Sequence, residues 1–148
     1  MGSLTNYGCN FFMDHTFNVS RTAPSAIYLV LCAADPGDSA TGASCNEVAN
    51  ANGYARAIIS FGDAASRRIT QDALVSFPAA TGPWGDITHW CLSDSPTYGA
   101  GNVLAFGAFT STLSPVSGNT PRVAAGQVFI EISLSPGAEF TTQHCNGM

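Results

Sequence analysis

The sequence predicts a mainly β fold, an antiparallel sandwich or jelly-roll-like barrel with one short N-terminal helix. Three observations lead there. Six short apolar runs, rich in branched and aromatic residues, are separated by Gly, Pro, Asn and Asp turns. An aromatic stripe at helical spacing is confined to the N-terminus. No alternation of strands with helical patterns supports a parallel α/β sheet.

The elements follow in order. Ser3 is a candidate N-cap, and Leu4, Tyr7, Phe11 and His15 repeat at helical spacing, with Phe12 widening the stripe. These residues predict a helix over 4–17, in which Gly8 costs about 1 kcal/mol relative to Ala. After Pro24, residues 25–34 read as a buried strand ended by the turn residues Asp35-Pro36-Gly37-Asp38. Further strands are expected over 54–61, 72–77, 86–93, 103–110 and 127–134, each bounded by a turn such as Gly82-Pro83-Trp84-Gly85 or Gly99-Ala100-Gly101-Asn102. Residues 135–148 form a polar tail with Pro136-Gly137 at its root. No repeat or linker divides the chain, so residues 1–148 are expected to form one β domain: an N-terminal helix, a core over 25–134 and the extended tail.

Composition limits what such a domain can do. Charged residues are 10% of the 148, against about a quarter in ordinary soluble domains, so the surface is built from Ser, Thr, Asn, Gly and Ala and suits protein–protein contact. There are five arginines (Arg21, Arg56, Arg67, Arg68, Arg122), no lysine, and a net charge of −5. Displacing counterions from phosphates takes a basic stripe, so nucleic acid is not an expected partner, and neither is an anionic membrane. The N-terminus lacks a basic segment followed by an apolar run, and the apolar stretch over 26–34 is too short to span a bilayer.

Chemistry-bearing patterns are sparse. G-x-S-x-G, the P-loop and H-E-x-x-H are absent. His15, His89 and His144 fall on the helix, a strand and the tail. His89, near Thr88, Asp86 and Asp94, is the one candidate for an enzyme such as a depolymerase, although a hydrogen-bonded structural role suits it better. Asp35 and Asp38 fit a turn rather than a Ca²⁺ loop. The five cysteines (Cys9, Cys32, Cys45, Cys91, Cys145) include no C-x-x-C pair, so no metal or other cofactor is expected. Cys32 and Cys91 lie in apolar runs and read as small buried hydrophobes, whereas Cys45 and Cys145 have polar neighbours that leave a late disulfide open. Trp84, Trp90 and Tyr98, with Asp86, Asp94 and Asn102 nearby, offer either core anchors or a sugar-stacking surface. Arg56, in an otherwise apolar strand, pairs with a carboxylate such as Asp86 or Asp94, or reaches a partner.

Four stretches taken together carry a resemblance. They are Ser25-Ala-Ile-Tyr-Leu-Val-Leu with Ala34-Asp-Pro36; Gly53-Tyr-Ala-Arg56 followed by Ile59-Ser-Phe61; Trp84-Gly-Asp-Ile-Thr-His89 with Leu92-Ser-Asp94; and Gly101-Asn-Val-Leu104 with Phe106-Gly107. In that order, with Leu4-Thr-Asn-Tyr7 before them, they resemble a family of small tailed-bacteriophage virion proteins labelled as tail-fibre or structural proteins. The chain departs from that pattern in its cysteine content and its tail. The resemblance implies a non-enzymatic virion component, assembled in the host cytoplasm, whose partners are other virion proteins, either the major capsid protein or tail proteins. On this reading the protein is a capsid decoration (cement) protein or small tail-associated subunit and forms a symmetric oligomer such as a trimer. The alternative is a tail-fibre receptor-binding module that recognises host-surface glycan through Trp84, Trp90 or Tyr98. The motif residues otherwise keep the fold, with Gly53 and Gly101 supplying turn conformations that other residues avoid.

Overall fold

The computed structural model describes residues 2–132. Along them run β1 (Gly2–Leu4), α1 (Asn6–Met13), β2 (Ile27–Cys32), β3 (Ala57–Ile59), β4 (Arg68–Thr70), β5 (Val75–Ser76), β6 (Ile87–Ser93), β7 (Val103–Leu113), β8 (Arg122–Val123) and β9 (Phe129–Glu131). The fold is mainly β: a strongly curled, seven-stranded half-barrel in the order β3-β2-β6-β7-β1-β9-β4, with β5 and β8 forming a small second sheet. The pairings are antiparallel except β1 with β9, which is parallel at Gly2↔Ile130 and makes the large sheet mixed. Register shifts where β6 meets β7, between Ile87 and His89 and between Leu92 and Ser93, add local twist and help the sheet to curl.

The central strands β2 and β6 show why their sequences are continuously apolar rather than alternating. Strand side chains point to opposite faces in turn. Leu29 and Leu31 of β2 and Trp90 and Leu92 of β6 enter the large core beside Tyr54, Phe77, Trp84 and Val123. Val30, Cys32 and Cys91 enter a second, smaller core, where Ala40 and Cys45 cover them from the loop after β2. Both faces of the sheet are dry at its centre.

The N-terminal helix is present but starts later than its apolar stripe suggests. Thr5, not Ser3, is the N-cap: its hydroxyl accepts the Gly8 N–H at 3.0 Å and donates to the Val103 carbonyl. Ser3 instead pairs with Phe106 in the sheet. The helix continues through a π-helical turn, Asp14–Asn18, giving thirteen residues in all. Gly8 is explained by packing, since a Cβ there would stand 2.1 Å from the Leu104 carbonyl oxygen. The helix can lie this close to β7 only because the position has no side chain.

Other expected boundaries shrink. The run over 54–61 forms a strand only at Ala57–Ile59, with Phe61 making a lone bridge to Gln71, and that over 72–77 forms one only at Val75–Ser76. The last expected strand pairs at Phe129–Glu131; the rest of its run beyond 132, and the tail over 135–148, lie outside the described residues. Strands β1, β4 and β8, two or three residues each, were not expected, because such short segments carry no periodic signal and form only where a distant strand supplies hydrogen bonds.

Candidate functional site

The sequence around Arg56 builds a buried polar knot. Its Nε donates to Glu47 Oε1 and its Nη2 to Glu47 Oε2, each at 2.8 Å, a bidentate pair with side chains 1% and 4% exposed. Nη1 donates to the Ser95 and Ala100 carbonyls, both at 2.9 Å, and to Ser93 Oγ at 3.2 Å. Nη2 also reaches the Gly42 carbonyl at 3.4 Å. The expected carboxylate partner is therefore present, but it is Glu47 rather than Asp86 or Asp94. Asp94 instead holds the turn at Asn102, and Asp86 accepts from Ser114. Burial works against the charge on Arg56, but the Glu47 carboxylate more than offsets it and raises its pKa. With every nitrogen engaged, this guanidinium ties the loop between β2 and β3 to the loop between β6 and β7.

Tyr54 completes the knot. Its hydroxyl donates to Glu47 Oε1 at 2.9 Å and accepts the Leu31 N–H at 3.2 Å. Burial, then the Glu47 charge, pushes its pKa upward, so the phenol stays a neutral donor. Gly101, at φ 84°, closes the same corner, where a Cβ would lie 2.5 Å from the Ser95 Cβ and 2.7 Å from Asp94 Oδ1.

The four candidate contact residues separate into two environments. Trp84 and Trp90 lie in the large core, 8% and 1% exposed, and the Trp84 indole N–H donates to the Asn52 carbonyl at 2.9 Å. Tyr98 is 39% exposed and meets Tyr54 edge-on at 6.4 Å, while Tyr54 meets Trp84 the same way at 5.3 Å. Arg56 and Tyr98 share the wall of an open cleft of about 350 Å³ with Asn50, Tyr54, Pro96 and Thr97. Tyr98 presents ring surface to this cleft, and Trp84 supports it from beneath through Tyr54.

Two features escaped sequence reasoning. The first is the apolar exposure along α1 and the segment that follows it, where Tyr7, Phe12, Met13, Phe17 and Val19 are 40–81% exposed. The stripe was legible as a helix signal, but helical spacing does not say which of its residues face solvent. Only the inner side, Gly8 and Cys9, is buried.

The second is a cluster of thiols. Cys32, Cys45 and Cys91 are all buried, and their Sγ atoms lie within 4.8 Å of one another. Cys45, expected among polar neighbours, is 1% exposed. It was missed because C-x-x-C spacing is a local test, while these three come from a strand end, a loop and a second strand. The nearby Cys32 and Cys91 thiols pull the Cys45 pKa below the usual thiol range, while contacts with Cys45 and then Cys91 push the Cys32 pKa up.

The remaining candidates have structural partners. His89 Nδ1 shares a hydrogen bond with the Thr88 hydroxyl at 2.8 Å. Asp35 accepts the Gly37 N–H in its turn. Arg68 pairs with Glu131 and lies 4.3 Å from the Phe129 ring centroid.

The described residues thus form a curled β scaffold with exposed apolar side chains along its helix and an open cleft beside Tyr98. A family model described as "Podophage GP4 fiber I protein gp80" matches residues 3–131, and the chain belongs to this family of phage tail-fibre proteins. The resemblance carried by the four sequence stretches is thus borne out, and the protein is virion-associated. The family favours a tail-fibre position over capsid decoration. A comparison with functionally curated proteins finds no match.

Proposed function

We propose that the protein is a non-catalytic tail-fibre subunit that joins other virion proteins through the exposed apolar side chains of α1 and of the π-helical turn that follows it. The carrying observation is the exposure of five large apolar side chains between Tyr7 and Val19, with Phe17 81% exposed. Isolated apolar residues on a surface need no explanation, but five along one short helical segment mark a contact site. A fibre presents its subunits in cyclic symmetry, which suits a trimer built around such a patch. The chain is assembled in the host cytoplasm and leaves by lysis. A variant carrying Phe12→Asp and Phe17→Asp is expected to keep its far-UV circular dichroism and lose at least about tenfold of its incorporation into particles. Incorporation at the wild-type level would sink this reading. Quantitative mass spectrometry of purified virions is expected to give about three to a few tens of copies; hundreds would return the protein to the capsid surface.

A second reading, host-glycan recognition, is favoured by the Tyr98 cleft. Its exposed ring faces a polar-edged hollow where a sugar CH face can stack and Asn50 and Thr97 can bond hydroxyls. Tyr98→Ala is expected to retain the fold and weaken binding on a glycan array at least about tenfold. Unchanged binding would remove the cleft from consideration.

A further inference from the structure

The three clustered thiols reach one point from separate parts of the chain. Cys32 ends β2, Cys91 lies inside β6, and Cys45 comes from the loop between β2 and β3. Cys32 and Cys91 sit diagonally across the β2–β6 pair, since Cys32 opposes His89 and Val30 opposes Cys91. Their sulfurs are 3.7 Å apart. Asn46, at φ 57°, turns the loop just after Cys45, and its amide donates to the Asp35 carbonyl at 2.9 Å. That turn holds Cys45 over the two strand thiols.

Free buried cysteine often acts as a small hydrophobe. Packing alone, however, asks only for volume, which Ala or Val supplies, as Ala40, Val30 and Val103 do in the same small core. It does not ask three sulfurs to converge. A tetrahedral Zn²⁺ held by thiolates at about 2.3 Å sets sulfur–sulfur edges of about 3.8 Å. The Cys32–Cys91 edge already has this length, and Cys45 caps it within 4.8 Å.

We propose that Cys32, Cys45 and Cys91 bind one Zn²⁺ ion through three thiolates. Three thiols release three protons to solvent as the ion enters, leaving a site of net charge −1. The surroundings suit that charge. The Gly42 carbonyl lies 3.8 Å from Cys45 Sγ and also accepts from the Arg56 guanidinium, so the nearest fixed cation is anchored on the site's own loop. A small cavity of about 180 Å³, lined by Gly42, Ser44, Asn46, Glu47, Tyr98 and Gly99, lies beside the loop that carries Cys45. Three thiolates leave the fourth position of a tetrahedral ion to a water or another small ligand. No other group of three metal-ligating side chains is found among the described residues.

The test uses the full chain, reduced and freed of metal with a chelator, then titrated with Co²⁺ and back-titrated with Zn²⁺. The expected result is one Co²⁺ per chain with the visible bands of tetrahedral thiolate coordination, displaced by one Zn²⁺. Zn²⁺ should also raise the melting temperature of the wild type. Cys45→Ser, on the loop, is expected to weaken binding at least about 100-fold and abolish that rise. Because the wild-type titration needs no variant, a misfolded mutant leaves the proposal open to failure. The absence of thiolate bands with all three thiols reduced would overturn it. So would bands unchanged in both Cys45→Ser and Cys91→Ser, or a disulfide joining two of the three in protein taken from virions.

Discussion

Arg56→Met is expected to lower the unfolding free energy by about 3–5 kcal/mol, the cost of leaving one member of a buried ion pair without its partner. The substitution keeps the length and most of the volume of the side chain but removes every donor. Glu47 is then a buried carboxylate with only the Tyr54 hydroxyl and a long contact to the Gly99 N–H. The carbonyls of Ser95, Ala100 and Gly42 lose their donor in the same step. Urea unfolding of the two proteins checks this, with the midpoint falling and the slope unchanged. Glu47→Leu added to Arg56→Met is expected to recover stability, with a coupling of about 2 kcal/mol. A double variant as unstable as the sum of the singles would mean that the loop carbonyls, not the pair, set the cost. The guanidinium and its carboxylate act as an internal rivet, which suits a protein with few other charges to spend on its surface.

Trp90→Ala is expected to cost about 3–5 kcal/mol and lower the melting temperature by about 10 °C or more. The indole is 1% exposed in the centre of the large core, and Gly2 of β1 packs directly on it, since a Cβ there would stand 2.3 Å from the ring. Losing the ring opens a cavity beneath β1 and removes the surface against which the N-terminal strand settles. Its Nε1 has no hydrogen-bond partner among the described residues, so Trp90→Phe, which removes that donor with part of the ring, should cost much less than Ala. Differential scanning calorimetry ranks the three proteins, and equal losses for Phe and Ala would contradict the packing account. The contrast with Tyr98→Ala separates fold from recognition: one is expected to change stability, the other a surface.

The two cores show what is legible in a sequence and what is not. The class of fold, the N-terminal helix and strands β2, β6 and β7 could be read directly. Each is long enough for apolar periodicity, or for a continuous apolar run, to stand out, and each is stopped by turn residues whose backbone preferences are local. The family could be read too, because its residues recur in order along the chain. The tertiary structure alone decided which partner Arg56 takes, since Glu47, Asp86 and Asp94 are equally plausible until the loops are placed. It also placed both tryptophans in the core, left Tyr98 at the surface, and turned half of the helical stripe outward. Strands β1, β4 and β8 and the three-thiol cluster exist only because residues far apart in sequence meet in space. Periodicity reports on neighbours three or four residues away, whereas pairing, burial and coordination are set by contacts many tens of residues apart. Sequence alone therefore determined what kind of protein this is, and only the folded chain decided where its side chains can act.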